Sequence, residues 1–150
     1  MLAKDLMSHP VFTCHANDTL HLAAQRMWDH DCGALPVVND EGKLVGMITD
    51  RDVCMAAYTR GEALDALLVN GAMSKGVVYA RADASIGELE DLMAKHKVRR
   101  LPVINSDGEP IGVISLNDLA VEAAQPDTRI RNGLPKIAHT LAAICQHPAA

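Results

Sequence analysis

At 150 residues and 49% hydrophobic content, the chain is a packed protein of one ordinary domain or two very small ones, which excludes a disordered polymer. A net charge of −5 with 3% aromatics weighs against nucleic-acid binding, which calls for a basic face and stacking rings. No apolar run reaches the length of a membrane span, and MLAKDLMSHP lacks the hydrophobic stretch of a secretion signal, so the expected location is the cytoplasm and no membrane partner is expected.

In chain order, VFTC (11–14) reads as a short strand. Asp18 or Thr19 then caps a helix whose inner face carries Leu20, Ala23 and Met27. LPVVND is a nearly unbroken apolar run ended by turn residues, and DEGK puts Gly42 where a tight hairpin needs positive φ. LVGMIT continues as a further strand. DRDVCMAAYTRG fits a helix, because alanines replace the β-branched residues. Residues 61–72 are expected to link onward, partly as helix.

The same series then recurs. VVYA is a strand, Ser85 leads a helix through Ile86, Leu89, Leu92 and Met93, LPVINS and PIGVIS are strands around the SDGE turn, and LNDLAVEAAQ is a helix. A shift of 66 residues superposes Met7-Ser8 on Met73-Ser74, Met27 on Met93, Leu35-Pro36-Val37 on Leu101-Pro102-Val103, Gly46 on Gly112 and Asp52 on Asp118. This is internal duplication. The fold class is therefore mixed α/β, two strand–helix–strand–strand–helix repeats. Each copy is near the ~60-residue size at which a lone core is marginal, so the copies are expected to pack with pseudo-twofold symmetry. Expected boundaries are 1–66 for the first copy with its linker, 67–125 for the second and 126–150 for a tail, where NGLPKIAHTLAAICQH reads as an amphipathic helix after Gly133 and Pro135.

Thr49 with Asp52, and Ser115 with Asp118, read first as helix caps with an acid three residues on. The same helix ends gather N–H donors and partial positive charge suited to a phosphate, and an aspartate carboxylate can accept from both hydroxyls of a ribose diol. Gly46 and Gly112 mark either a strand bend or close approach of a ligand.

The pattern LPVV-x3-G-x3-G-x2-T-x2-D, repeated as LPVI-x3-G-x3-G-x2-S-x2-D with a Met-Ser opening each copy, resembles a tandem pair of CBS domains, often called a Bateman module, over residues 5–124. The resemblance implies an adenosine-containing ligand (AMP, ADP, ATP or S-adenosylmethionine) in clefts between the copies, with no obligatory cofactor. Asp52 and Asp118 would take ribose, and Thr49 and Ser115 would approach phosphate. Backbone at Thr13 and Tyr79, with Val37 and Val103 as apolar walls, would hold adenine. It further implies a homodimer built on the helices after each aspartate, through Val53, Ala56, Ala57, Leu119 and Ala123. Arg99 and Arg100 precede LPVI, whereas Gly33 and Ala34 precede LPVV. Forked arginine donors suit phosphate oxygens, so the two sites are expected to be unequal; the alternative is that these cations only offset a helix dipole.

Neither a serine–histidine–aspartate order nor a P-loop is present, so the chain is not expected to be an enzyme. The leading expectation is a stand-alone regulatory module signalling to an unknown effector protein. Two rivals are a metal- or redox-responsive sensor using Cys14, Cys32 or Cys145 with histidines such as His15, His139 and His147, and a ligand-free structural dimerisation module. The methionines are expected in the core, and Trp28 at a helix–sheet seam or a dimer contact.

Overall fold

The computed structural model describes residues 1–123 and 133–145. In chain order the elements are α1 (Ala3–Leu6), β1 (Cys14–His15), α2 (Leu20–Asp29), β2 (Ala34–Val38), β3 (Leu44–Thr49), α3 (Asp50–Arg60), a 3-10 turn (Val69–Gly71), β4 (Ala80–Arg81), α4 (Ile86–His96), β5 (Arg100–Ile104), β6 (Pro110–Ser115), α5 (Leu116–Ala123) and α6 (Gly133–Cys145). They fall into two compact units. A first-repeat unit holds Val11–Val77 and the turn Asp107–Pro110; a second-repeat unit holds Met1–Pro10, Val78–Ser106 and the described residues from Ile111 onward.

In the first-repeat unit β1 pairs parallel with β2, Cys14 opposite Val37, and β2 pairs antiparallel with β3, Ala34 opposite Thr49. The parallel pair is joined by α2, as a parallel connection requires, and the antiparallel pair by the Gly42 turn at φ 77°. All five residues of β2 are buried, which explains its continuous apolar run. Leu20, Ala23 and Met27 of α2 close over Val37, Ile48, Val53 and Val69 to make the core. The second repeat follows the same plan, β4 parallel to β5, then β6, and the turn between β5 and β6, which belongs to the first-repeat unit, has Gly108 at φ 81°. Its core gathers Leu89, Met93, Leu101, Val103, Ile114 and Leu119.

The order of elements and the two turn glycines agree with the sequence reading. The opening strands do not: of VFTC and VVYA only Cys14 and Ala80 enter a ladder, which runs on to His15 and Arg81. At the first of these the carbonyl of Thr13 is bound at 2.6 Å by the Arg26 side chain, and the Phe12 ring stacks on His30 at 3.5 Å. Residues 61–72 form no α-helix but turns and the 3-10 segment, with Leu67 and Val69 buried. Trp28 is 86% exposed rather than packed at a seam. One residue past Met27 it is turned by about 100° around α2, away from the buried stripe.

The C-terminal helix α6 packs on α4 and α5, placing Ile137 in the second-repeat core with Leu119 and Ala123. Of the five apolar residues expected at a dimer face, Ala57 is only half-buried and the other four are packed inside their own units. Val53 and Ala56 are buried in the first, Leu119 and Ala123 in the second, and the outward apolar residues of α3 and α5 are Met55, Tyr58 and Val121.

Candidate functional site

Each β-strand that carries the conserved spacing of the repeat ends at a hydroxyl residue that starts a helix. At the β3–α3 junction the Thr49 N–H donates to Asp52 Oδ2 at 2.9 Å, and the Asp52 N–H donates to Thr49 Oγ1 at 3.1 Å. At the β6–α5 junction the Ser115 N–H donates to Asp118 Oδ2 at 2.7 Å and the Asp118 N–H to Ser115 Oγ at 3.2 Å. Both are capping boxes, each satisfying two donors that a helix start leaves over. The capping and binding readings do not compete for the same atom. Only Oδ2 is used; among the described residues neither Asp52 Oδ1 nor Asp118 Oδ1 accepts a hydrogen bond, and both aspartates are half-buried. Each box therefore fixes its carboxylate while leaving one oxygen for an outside donor.

The two hydroxyls differ. Ser115 Oγ also donates to Asp118 Oδ2 at 2.7 Å, which commits its proton, whereas the Thr49 hydroxyl acts only as an acceptor among the described residues. The Thr49 proton remains available to an anion at the start of α3.

At Gly46 the strand-bend expectation is met, since the register shifts beside it from Val37–Gly46 to Val38–Leu44; both glycines also have a second purpose. Ser74 exchanges two backbone hydrogen bonds with Met47, at 2.8 and 3.2 Å, and Ser8 exchanges two with Val113, at 2.9 and 3.4 Å. The Met-Ser segments thus cross the strands β3 and β6 beside the glycines. A Cβ on Gly46 would sit 2.6 Å from Met73 Sδ and 3.0 Å from the Ser74 carbonyl; one on Gly112 would sit 2.5 Å from Met7 Sδ. The neighbour is chain, not ligand. The segments just upstream follow the same rule: Ala3 N–H binds the Ala84 carbonyl and Lys4 N–H that of Ala82, while 66 residues on Val69 N–H binds Asp18 and Asn70 N–H binds Ala16. Sequence reasoning missed this use of Met7-Ser8 and Met73-Ser74, although a glycine and a Met-Ser repeated at one shift were the signal.

The remaining candidates separate. The Arg99 carbonyl accepts the first N–H of α5, from Leu116, at 2.9 Å, which puts that residue at the start of the Asp118 helix; Gly33 does the same for Asp50 at 3.1 Å. Arg99 is exposed and Arg100 half-buried. Tyr79 lines a recess of about 350 Å3 with Arg81, Asp83, Glu88 and Leu92, whereas the Thr13 carbonyl is already engaged by Arg26. Val37 and Val103, expected as adenine walls, are fully buried in the two cores and present no surface. Val37 packs in the first-repeat core with Leu20, Ile48 and Val69, and all five residues of β2 are buried.

Of the cysteines, Cys14 is buried and desolvation pushes its thiol up from 9.0 to about 12, with the Asp18 carboxylate adding to the effect. Cys54 is exposed on α3. His139 is exposed on α6, the side chain of Cys145 lies outside the described ones, and His147 lies outside the described residues. No three His, Cys, Asp or Glu residues gather as metal ligands among the described residues, and no helix among them is long and apolar enough to cross a membrane.

A profile of the CBS domain matches residues 3–58 and again residues 69–124. The chain belongs to the CBS domain family. Hypoxic response protein 1 of Mycobacterium tuberculosis, a similar relative, is 36% identical over 118 residues, 79% of this chain and 82% of its own. Among solved structures, Hypoxic Response Protein I with two coordinated zinc ions superposes with a TM-score of 0.74 at 34% identity, over 84% of this chain and 100% of that one. The CBS domain pair of protein MJ0100, in complex with 5'-methylthioadenosine and S-adenosyl-L-methionine, gives 0.73 at 27% identity over 81% and 94%. The paired T-x-x-D and S-x-x-D junctions are thus features of a tandem CBS protein, and the mixed α/β repeat plan is that of CBS pairs.

Proposed function

We propose that this CBS pair is a non-catalytic regulatory module that binds an adenosine-containing ligand through Asp52, Asp118 or both and passes its occupancy to an effector protein. The observation that carries the reading is the uncommitted Oδ1 of each capping aspartate, held half-buried at a helix start. A carboxylate oxygen there accepts from a ribose hydroxyl, while the helix N–H groups, the Thr49 hydroxyl and Arg99 or Arg100 favour phosphate or another anionic group. The adenosyl ligands of the MJ0100 pair support the same class. Ligand excess of one hundred times Kd would stabilise the bound state by about 2.7 kcal/mol, enough to bias a modest conformational equilibrium. We further propose a homodimer, with Met55, Tyr58 and Val121 as its outward apolar residues, and a reducing, cytoplasmic setting that suits an exposed Cys54 thiol.

A thermal-shift panel of AMP, ADP, ATP, S-adenosylmethionine, methylthioadenosine and NAD tests the reading. The expected result is a rise of roughly 5–10 °C for at least one ligand, reduced in Asp52→Asn or Asp118→Asn. No rise with any ligand would overturn it. The zinc ions of the 34%-identical neighbour favour one rival, a metal sensor. Elemental analysis of the purified protein decides between them, with stoichiometric zinc and no nucleotide response supporting that rival.

A further inference from the structure

The repeats differ most tellingly at a pair of positions that change together. In the first repeat, Arg26 Nη1 donates to the Thr13 carbonyl at 2.6 Å and lies 3.4 Å from Asp18 Oδ2. Asp18 is itself fixed, accepting the His15 N–H at 2.8 Å through the same oxygen. Sixty-six residues on, Arg26 becomes Leu92 and Asp18 becomes Ala84. Leucine has no donor, so position 92 offers nothing to the carbonyl of Tyr79, and the recess of about 350 Å3 stands beside it, lined by Tyr79, Ala84 and Leu92 and rimmed by exposed Arg81, Asp83 and Glu88. Glu88 is not a spare acceptor on the capping side. Its Oε2 takes the Ser85 N–H and hydroxyl, both at 2.7 Å, and these bonds, the backbone one first, hold its carboxyl below the ordinary range.

A guanidinium is a planar group with N–H donors in its plane, and an aminopurine edge presents the same kind of donor on a flat ring. The first repeat therefore satisfies its Thr13 carbonyl with a side chain of its own, and the second leaves the matching position open with an apolar wall and a half-exposed aromatic ring at its mouth.

We propose that Arg26 fills, in the first repeat, the place that stands open as the Tyr79 recess in the second, and that only the second-repeat recess admits the planar, amino-bearing base of a ligand. The assignment rests on the nucleoside reading above for the identity of that ligand, but the opening itself does not. It makes Arg26 and Leu92 the residues that set how many molecules bind.

The test is an amide-resolved NMR titration of the full chain, with methylguanidinium and AMP as separate probes, on the parent, Arg26→Leu and Leu92→Arg. Expected are saturable shifts at residues 79–83 but not 13–18 in the parent, at both segments in Arg26→Leu, and at neither in Leu92→Arg, with AMP affinity at 79–83 weakened about tenfold or more in the last. Shifts at 13–18 in the parent, or none gained there in Arg26→Leu, overturn the proposal, as does silence of both probes at 79–83. Leu92→Arg adds a side chain at the mouth of a recess, so it keeps the test decisive if Arg26→Leu fails to fold. Methylguanidinium shifts in the expected pattern without any AMP response would uphold the resident arginine and refute the adenosyl ligand.

Discussion

Replacing Gly112 by alanine isolates the packing that the Met-Ser segment imposes on β6. The backbone there has no left-handed φ, so alanine meets no conformational penalty and gains about 0.5–1 kcal/mol from a less flexible unfolded chain. Opposing this, the new Cβ would stand 2.5 Å from Met7 Sδ, 2.7 Å from its Cγ and 2.8 Å from its Cβ. The sulfur can swing aside, but the Met7 Cβ is tied to a segment held by the paired Ser8–Val113 hydrogen bonds. Overpacking at such a place costs about 1–3 kcal/mol, with the anchored atom pointing to the upper half of that range. The net loss is about 2 kcal/mol, or roughly 4–8 °C in a thermal melt followed by circular dichroism. Met7→Ala in the same chain should return part of that loss, giving a favourable coupling of about 1 kcal/mol in the double-mutant cycle. A Gly112→Ala melt at or above that of the parent, or strict additivity with Met7→Ala, would refute the close-approach account.

Four further outcomes are expected of the same structure. At pH 8 a thiol raised to about 12 is thiolate in only about one molecule in ten thousand, so iodoacetamide should label exposed Cys54 and spare Cys14 until the protein unfolds. Because the folded thiol keeps its proton where an unfolded one at 9.0 loses it, stability should fall as pH rises past 9, and Cys14→Ala should flatten that part of the profile. Trp28→Ser should change the unfolding free energy by no more than about 0.5 kcal/mol in urea, whereas Ile137→Ala, which opens the core beneath α6, should cost about 2–4 kcal/mol. Asp118→Ala should cost about 1 kcal/mol through the lost cap even without ligand, and a ligand-free melt equal to the parent's would show that the box is not stabilising.

Features that depend on a few neighbouring residues were legible in the sequence. The Gly42 and Gly108 turns, the caps at Thr19, Thr49, Ser85 and Ser115, and the buried faces through Met27 and Met93 are set by local backbone geometry and helical period. What escaped depends on distant chain. Gly46 answers to Met73, twenty-seven positions away, and Gly112 to Met7 across most of the protein. Trp28 looks apolar enough for a seam, yet a one-residue step around the helix turns it to solvent. Val37 and Val103 sit in a motif associated with ligand, yet each is fully buried in the core of its own unit, which an apolar run alone does not distinguish from a cleft wall. The Arg26–Thr13 contact was invisible for the opposite reason: attention to what the repeats share passes over the joint departure at positions 18 and 26.

The lead of each repeat completes the other: Met1–Pro10 belongs with Val78–Ser106, and Met73-Ser74 closes over β3. A single copy excised by sequence, say 11–60 or 78–123, would therefore expose a glycine-bearing strand edge with nothing to cover it. Completing either sheet therefore takes chain from outside its own repeat, which makes the two halves of the sequence mutually dependent for folding.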